Sequence, residues 1–426
     1  MDTIFAVSSG APPAAIAILR LSGKVAFAAA RALANSLPPP RRAAVRALRD
    51  GDELLLDRAL VLVFPGPDSA TGEDLVELHL HGGRAVVRAV EAALDVLPGM
   101  RRAEPGEFTR RALANGRIDL TEAEGLGDLL TAETEGQRRA AIAVAEGAIR
   151  KCAQGWTERL VALAAQVEAQ LDFAEEDEVD QGSSGAFAVA ALALADEIQS
   201  LLATPPVERL RDGLRVVIAG PPNSGKSTLL NALVERDAAI VSPISGTTRD
   251  RIEAPVIRDG IAYILTDTAG LLDETPDPVE RIGIARAEEA MRAADLILWL
   301  GDDESPQCEA IRVHARTDIA GRSAMPDRAD VALSAATGEG IQDLWALLHD
   351  RASTLLPRED AVALNRRQRD LLASCAKSLR RAGEQPDAIV FAEELRIAMM
   401  ALDRLVGRSD VEAMLDALFT RFCLGK

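Results

Sequence analysis

The residues whose types and spacing specify chemistry most directly are Gly220, Pro221, Pro222, Asn223, Ser224, Gly225, Lys226, Ser227 and Thr228. They spell G-x-x-x-x-G-K-S-T, a phosphate-binding loop. Gly220 and Gly225 let backbone N–H groups close around phosphate oxygens, and a helix that follows turns its positive end toward the same charge. Lys226 reaches the outer phosphates. Ser227 offers a hydroxyl to a Mg²⁺ ion, which keeps most of its water and takes one or two protein oxygens. The loop works only between a strand and a helix. The apolar run 214–219 before it and the helical pattern 229–234 after it provide that context.

Further groups follow downstream. Asp267, Thr268, Ala269 and Gly270 end the apolar run 261–265. A carboxylate at a strand end holds Mg²⁺ through water, while the glycine N–H meets the γ-phosphate. Between the two stretches lies Gly246-Thr247-Thr248-Arg249-Asp250, whose hydroxyls can close onto the metal, Thr248 as a ligand. Phosphate loop, switch threonine and D-x-x-G together resemble the translation-factor-like small GTPases. That class reads guanine with N-K-x-D, the aspartate taking both N1–H and N2–H₂. Here the stretch is Ala315-Arg316-Thr317-Asp318. Asp318 is in place, but Ala315 lacks the carboxamide that would brace base and phosphate loop. Arg316 is expected to lay its stem and guanidinium over the purine face. Ser334, Ala335 and Ala336, before Thr337-Gly338-Glu339-Gly340, resemble the next base loop, with a backbone N–H for guanine O6. Guanine preference should survive the loss of one hydrogen bond, about 0.5–1.5 kcal/mol.

These groups need a scaffold, and 426 residues allow about three domains. A chain 48% hydrophobic and 27% charged is globular, and only 3% aromatic content with abundant Ala and Leu favours helix. The net charge of −18 excludes broad attraction to nucleic acid, so any RNA contact is local or arranged by a partner. Cys152, Cys308, Cys375 and Cys423 have no C-x-x-C spacing, which suggests neither a disulfide framework nor a zinc site. No apolar run is expected to reach the ~18 residues of a membrane helix, and no basic leader precedes residue 20. The expectation is a soluble protein of a reducing compartment, the cytoplasm, with no membrane partner.

Residues 1–118 read as a small α/β domain, with strands over 3–7, 15–21, 59–64 and 74–81 and helices over 24–33 and from 84 to about 97. Pro38-Pro39-Pro40 breaks the chain, and 105–109 reads as a loop. From Asn115-Gly116-Arg117 the character changes. Thr121 and Glu124 have capping-box spacing, and helix runs to about 173, interrupted at Gly136, Gly147 and Gly155. The acidic piece 175–185 reads as a solvated link, with a further helix to 202. Residues 211–356 form the nucleotide-binding domain, closed by a helix from 341. Residues 357–426 return to helix, where Leu395, Ala398, Met399, Leu402 and Leu405 form a core stripe. The helical segments 119–210 and 357–426 have no sheet of their own, so they read as one discontinuous helical domain with the GTPase domain inserted.

The final residues Phe422-Cys423-Leu424-Gly425-Lys426 complete a resemblance over the whole chain. It also rests on Asp2-Thr3-Ile4, Leu19-Arg20-Leu21-Ser22-Gly23, Thr71-Gly72-Glu73-Asp74, His81-Gly82-Gly83, Pro105-Gly106-Glu107-Phe108-Thr109 and Gly246–Asp250. The sequence is similar to the tRNA-modification GTPase MnmE (TrmE) family. The resemblance implies an N-terminal α/β domain that dimerises and binds 5,10-methylene- or 5-formyl-tetrahydrofolate, a discontinuous helical domain and an inserted Ras-like P-loop GTPase domain. With an FAD-dependent partner, MnmG (GidA), such proteins build an aminomethyl-type (carboxymethylaminomethyl) group on C5 of a tRNA wobble uridine.

The resemblance also implies roles by position. Asn223, Ser242, Ile244 and Thr247 would hold K⁺, whose charge can act where an arginine finger acts elsewhere. Glu280 would position the attacking water. Arg20, Glu77 and Arg117 fall on folate positions, with Lys426 counted among them. A carboxylate suits the pterin N–H edge, and basic groups suit the tail or a ring carbonyl. Arg117 stands where Lys is commoner, which permits a bidentate contact. Cys423 would act in tRNA modification, adding as a thiolate to an activated carbon or a nucleobase. Leu272 stands where relatives often carry Arg. Two other readings compete: a ribosome-assembly GTPase, which would carry a basic RNA-binding appendage, and a non-catalytic nucleotide-binding scaffold. The stretch after 358 resembles no such appendage.

Overall fold

The computed structural model describes residues 2–173, 181–237, 253–268, 288–303, 309–358 and 361–409, and single residues beyond 409, among them Phe419, Phe422 and Gly425. The described chain divides into two compact units. One comprises Met1–Gly127, Val144–Ala169 and Leu395–Lys426; the other comprises Asp128–Ala143 and Gln170–Glu394. Each of the two helical segments contributes residues to both units.

The first unit is built on a six-stranded sheet with strand order β3-β4-β5-β2-β1-β6. Its strands are β1 (Thr3–Val7), β2 (Ile16–Ser22), β3 (Ala44–Arg49), β4 (Leu55–Phe64), β5 (Leu75–His81) and β6 (Met100–Arg102). All pairings are antiparallel except β1 with β6. Strands β3 and β6 were not expected from the sequence. Both lie at sheet edges, where arginines interrupt the apolar alternation that marks a half-buried strand. Helices α1 (Ala26–Ala34) and α2 (Arg84–Asp95) cover one face. Leu19, Leu21, Val61, Val63, Leu78 and Leu80 are buried against Ala30, Leu33, Val87, Val90 and Leu94. Successive strand side chains alternate between faces, so Ile18, Arg20, Leu62, Glu77 and His79 are on the face opposite that core.

The loop 65–74 is tied to helix α3 (Glu107–Ala114) by a buried charge network. Arg111, 7% exposed, donates to the Asp2 carbonyl (2.9 Å), Glu73 (3.0 Å) and Glu107 (3.0 Å). Ser22 also donates to Glu73 (2.8 Å). Residues 107–109 belong to this helix and not to a loop: Gly106, at φ +70°, makes the turn, and Glu107 supplies an acidic first turn. Helix α4 (Leu120–Thr131) follows, and its capping box differs from the expected one. Asp119 accepts from Glu122 N–H (2.9 Å), and Glu122 accepts from Asp119 N–H (2.7 Å), so Thr121 sits inside the first turn. Helix α5 spans Glu135–Ala145 and α6 spans Ala148–Phe173. Gly147, at φ +83°, separates them, whereas Gly155 faces open space within α6 and does not interrupt it.

The second unit carries helices α7 (Gln181–Leu202) and α8 (Glu208–Arg211), then a six-stranded sheet of order β12-β11-β10-β7-β9-β8. These strands are β7 (Leu214–Ala219), β8 (Glu253–Arg258), β9 (Ile261–Asp267), β10 (Leu296–Trp299), β11 (Ile311–Ala315) and β12 (Val331–Leu333). Only β8 runs antiparallel. The chain leaves β7 through helix α9 (Lys226–Asp237), adds β8 and β9 on one side, and adds β10 on the other. The carboxyl end of β7 is thus the switch point where doubly wound sheets bind ligands. Helix α10 (Ile341–Leu355) packs Leu344, Trp345 and Leu348 into the core. Helices α11 (Arg366–Glu384) and α12 (Ala388–Val406) follow, and α12 buries the expected Leu395, Ala398, Leu402 and Leu405.

One expectation is corrected here. The stretch Gly185–Leu202 of α7 is long and apolar enough, by length and composition, to cross a membrane. It nevertheless carries Asp196, which pairs with Arg380 of α11 at 3.2 Å, and it buries Ala191, Leu194, Ala195 and Ile198. That pattern is the packed stripe of a helix pair.

Candidate functional sites

The first site stands at the carboxyl end of β7. Gly220 (φ +149°), Asn223 (φ +58°) and Gly225 (φ +99°) turn the backbone through conformations that L side chains rarely adopt. Lys226, 5% exposed, reaches back to the carbonyls of Gly220 (3.1 Å) and Pro221 (3.0 Å). Burial lowers its pKa, an effect partly offset by Asp267. Ser227 donates to Asp267 at 2.5 Å, which brings the two expected metal-side oxygens together. Thr268 is pinned through its N–H and hydroxyl to Ile218 O. The Ser224 hydroxyl is buried without a partner among the described residues. An unpaired buried hydroxyl inside a loop of converging N–H groups fits a phosphate ligand. The donor set therefore fits a Mg²⁺-bound triphosphate, with Ser227 to hold the metal, Asp267 behind it and Lys226 to meet the phosphate charge. The metal would supply charge neutralisation at the phosphates.

The stretches expected to read the base lie beside this one. Asp318 accepts from the Ser334 hydroxyl at 2.6 Å, and Ser334 is fully buried. Ser334 O accepts from Gly338 N–H, and Ser334 N–H donates to Glu339 O. Gly340 (φ +75°) closes the loop where an added Cβ would lie 2.1 Å from Ala332 O. Arg316, at φ +65°, donates to Asn223 O at 2.8 Å, with its stem beside Gly225. Its guanidinium thus joins the base loop to the phosphate loop and does not lie free over a purine face. This link supplies a brace that Ala315 cannot. Behind it, Arg322 donates to Ala315 O (3.1 Å) and through both Nη atoms to Asp302 (2.8 and 2.9 Å), a support with no sequence motif. The Arg322 guanidinium holds the Asp302 carboxyl below its ordinary value.

The second site lies on the open face of the antiparallel sheet. Arg20 and Glu77 are register partners on β2 and β5, and Arg20 donates to Glu77 at 2.8 Å. His79 lies 3.4 Å from the other Glu77 oxygen. A cavity of about 460 Å³ is lined by Arg41, Phe64, Asp68, Ser69, Leu75, Glu77 and Arg117. Glu77 and Arg117 therefore share one cavity, and Arg20 orients Glu77. Arg41, Phe64 and Asp68 belong to no motif, because three separate stretches bring them together. An acidic group, two guanidiniums and an aromatic ring fit a folate, which carries an N–H edge, aromatic rings and carboxylates.

Ser242, Ile244, Thr247, Thr248, Ala269, Gly270, Glu280, Cys423 and Lys426 lie outside the described residues. Among the described residues no cluster of metal-ligating side chains occurs. The Cys375 thiol is buried in α11, and burial pushes its pKa up to about 12.

A Ras-like order of strands and a phosphate loop at its switch point define a P-loop GTPase. Comparison with known proteins assigns the family. The description "GTP-binding protein TrmE N-terminus" matches residues 3–117, and "MnmE helical domain" matches 120–423. The chain is 56% identical over 426 residues to the tRNA modification GTPase MnmE of Erythrobacter litoralis, covering all of both chains. It is 55% identical to that of Rhizorhabdus wittichii, covering all of this chain and 97% of the relative. It is 54% identical to that of Sphingopyxis alaskensis, covering 96% and 100%. The chain belongs to the tRNA modification GTPase MnmE family.

Proposed function

We propose that this GTPase is Mg²⁺-dependent and K⁺-activated, and acts as a cytoplasmic homodimer. With an FAD-dependent partner of the MnmG (GidA) kind, it adds a carboxymethylaminomethyl-type group to C5 of a tRNA wobble uridine, drawing one carbon from a tetrahydrofolate. The observation that carries this reading is the gathering of Glu77 and Arg117 on one cavity, with Arg20 on Glu77, in a chain that also bears the phosphate loop. A GTPase alone has no use for that cavity. Asn223, held in a left-handed turn of the phosphate loop, supports a K⁺ ligand there. Pairing of two copies is supported by the open sheet face and its edge, where Ile16 (57% exposed), Val45 (62%) and Leu55 (45%) leave apolar surface uncovered. Glu280 would position water and Cys423 would act on the tRNA side.

The test is nucleoside mass spectrometry on tRNA from a strain lacking this chain. The reading expects the wobble modification to disappear and ribosomal subunit profiles to stay normal. A modification pattern identical to that of the parent strain would sink it, and a subunit defect alone would favour ribosome assembly.

A further inference from the structure

The cavity on the antiparallel sheet holds two guanidiniums, and they converge on one acidic residue. Arg41 sits with its Cζ 5.8 Å from the centre of the Phe64 ring, and its guanidinium donates to the Asp68 carbonyl. Arg117 places Nη1 3.7 Å from the Asp68 carboxylate. Arg41 holds φ +60°, a conformation that a non-glycine residue keeps only when its surroundings fix it. Its N–H donates to Val63 O at 2.9 Å, which is one such restraint. Gly72 (φ +77°) lets the loop 65–74 approach Asn115 and Arg117 closely, since an added Cβ there would lie 2.8 Å from Asn115 Cβ. Asn115 also donates to Thr71 O at 2.7 Å. The loop is therefore fastened, yet the Asp68 side chain is 78% exposed and gains little from its loose ion pair. Glu77 differs: it is 16% exposed and engaged by Arg20 and His79. One carboxylate is built in, and the other occupies a basic position that a ligand carboxylate can take.

We propose that Arg41, acting with Arg117, binds the carboxylates of the folate's glutamate tail, and that Asp68 is an internal stand-in that the tail displaces. This rests on the folate reading given above and assigns the tail to the Arg41 side and the pterin to Glu77. Phe64, beneath the Arg41 guanidinium, offers an apolar face to the intervening ring.

The test uses the full chain and two ligands, 5-formyl-tetrahydrofolate and the same ring system without glutamate, 5-formyl-tetrahydropteroate. Equilibrium binding is measured for wild type, Arg41→Gln and Asp68→Asn, with thermal unfolding midpoints to establish that each variant is folded. Arg41→Gln should weaken the glutamate-bearing ligand about tenfold and leave the pteroate unchanged, since it removes charge-assisted bonds to the tail alone. Asp68→Asn should tighten the glutamate-bearing ligand about two- to threefold, because a competing carboxylate is gone. If Arg41→Gln does not fold, Arg41→Lys, which keeps the charge, together with Asp68→Asn decides on the same two ligands. Equal loss of both ligands, loss of neither, or weaker binding by Asp68→Asn overturns the proposal. A wild-type chain that binds neither ligand overturns the folate reading itself, a result distinct from the others.

Discussion

The two sheets place their chemistry in different positions. The parallel sheet of the second unit is buried on both faces, as its apolar strands β7 and β10 show, so only strand ends and loops are free. The groups expected to bind nucleotide there (Lys226, Ser227, Thr268, Asp318 and Ser334) all follow the carboxyl ends of strands. Helices α1 and α2 cover one face of the first unit's sheet; on the other face α3 covers only the β1 end, where Phe108 packs with Ile4 and Ala6. Arg20, Glu77 and His79 project from the middle of its strands on the other face. A loop site is written in consecutive residues, whereas a strand-face site is written in every second residue of several strands.

The comparison is tested most severely by removing one charged group from each sheet. Lys226→Ala should lower GTP affinity and turnover at least a hundredfold, since a buried ammonium meets the phosphates directly, while 5-formyl-tetrahydrofolate binding stays within twofold. Glu77→Gln should do the reverse, with a folate loss of about tenfold or more. Titration calorimetry with both ligands checks the pair, and a crossed effect would mean the sites are not separate.

Glycines sharpen the same contrast at smaller magnitude. Gly340→Ala places a Cβ 2.1 Å from Ala332 O, and Gly82→Ala places one 2.3 Å from Ala14 O. Each should cost about 1–3 kcal/mol of stability in its own unit, and only Gly340→Ala should weaken nucleotide binding. Chemical denaturation with each ligand present reads the difference.

The smallest effect lies behind the base loop. Arg322 holds Asp302 below its ordinary value of 3.8, so the pair's stabilisation is complete above 3.8 and lost as pH falls through the lower native value. Because Asp302 is 61% exposed, the effect is slight. Arg322→Gln should flatten the acid limb of the unfolding curve and cost GTP affinity about two- to threefold, through the loss of its bond to Ala315 O. Melting curves from pH 3 to pH 7 follow it.

Legibility in the sequence followed the same division. The phosphate loop, the β7 and β9 strands and Asp318 could be read because each is contiguous and flanked by clear apolar runs. Arg316 was expected over a purine face, and its bond to Asn223 O could not be foreseen, since 93 residues separate the two. Arg20, Glu77 and Arg117 came only through the family resemblance. The alternation around Arg20 on β2 and Glu77 on β5 marks a half-exposed face without saying what that face binds, and Arg117 lies between helices. Arg41 and Asp68 left no signal, because Arg41 lies before the edge strand β3 and Asp68 before the Thr71–Asp74 motif, so neither falls in a periodic run or a motif. The capping box was misread by two residues because Asp119 competes with Thr121 as a cap, and the aspartate accepts from two donors.

The central claim is that both sites serve one product. Its most direct test is reconstitution from the purified chain, its flavoprotein partner with a nicotinamide reductant, unmodified tRNA, GTP in KCl, an amine donor (glycine and ammonium in parallel reactions), and methylene-tetrahydrofolate labelled with ¹³C at the one-carbon unit. The account predicts label in the C5 substituent of the wobble uridine, abolished by Lys226→Ala, by Glu77→Gln and by NaCl in place of KCl. Label that persists in either variant, or a modified uridine that carries none, would contradict it.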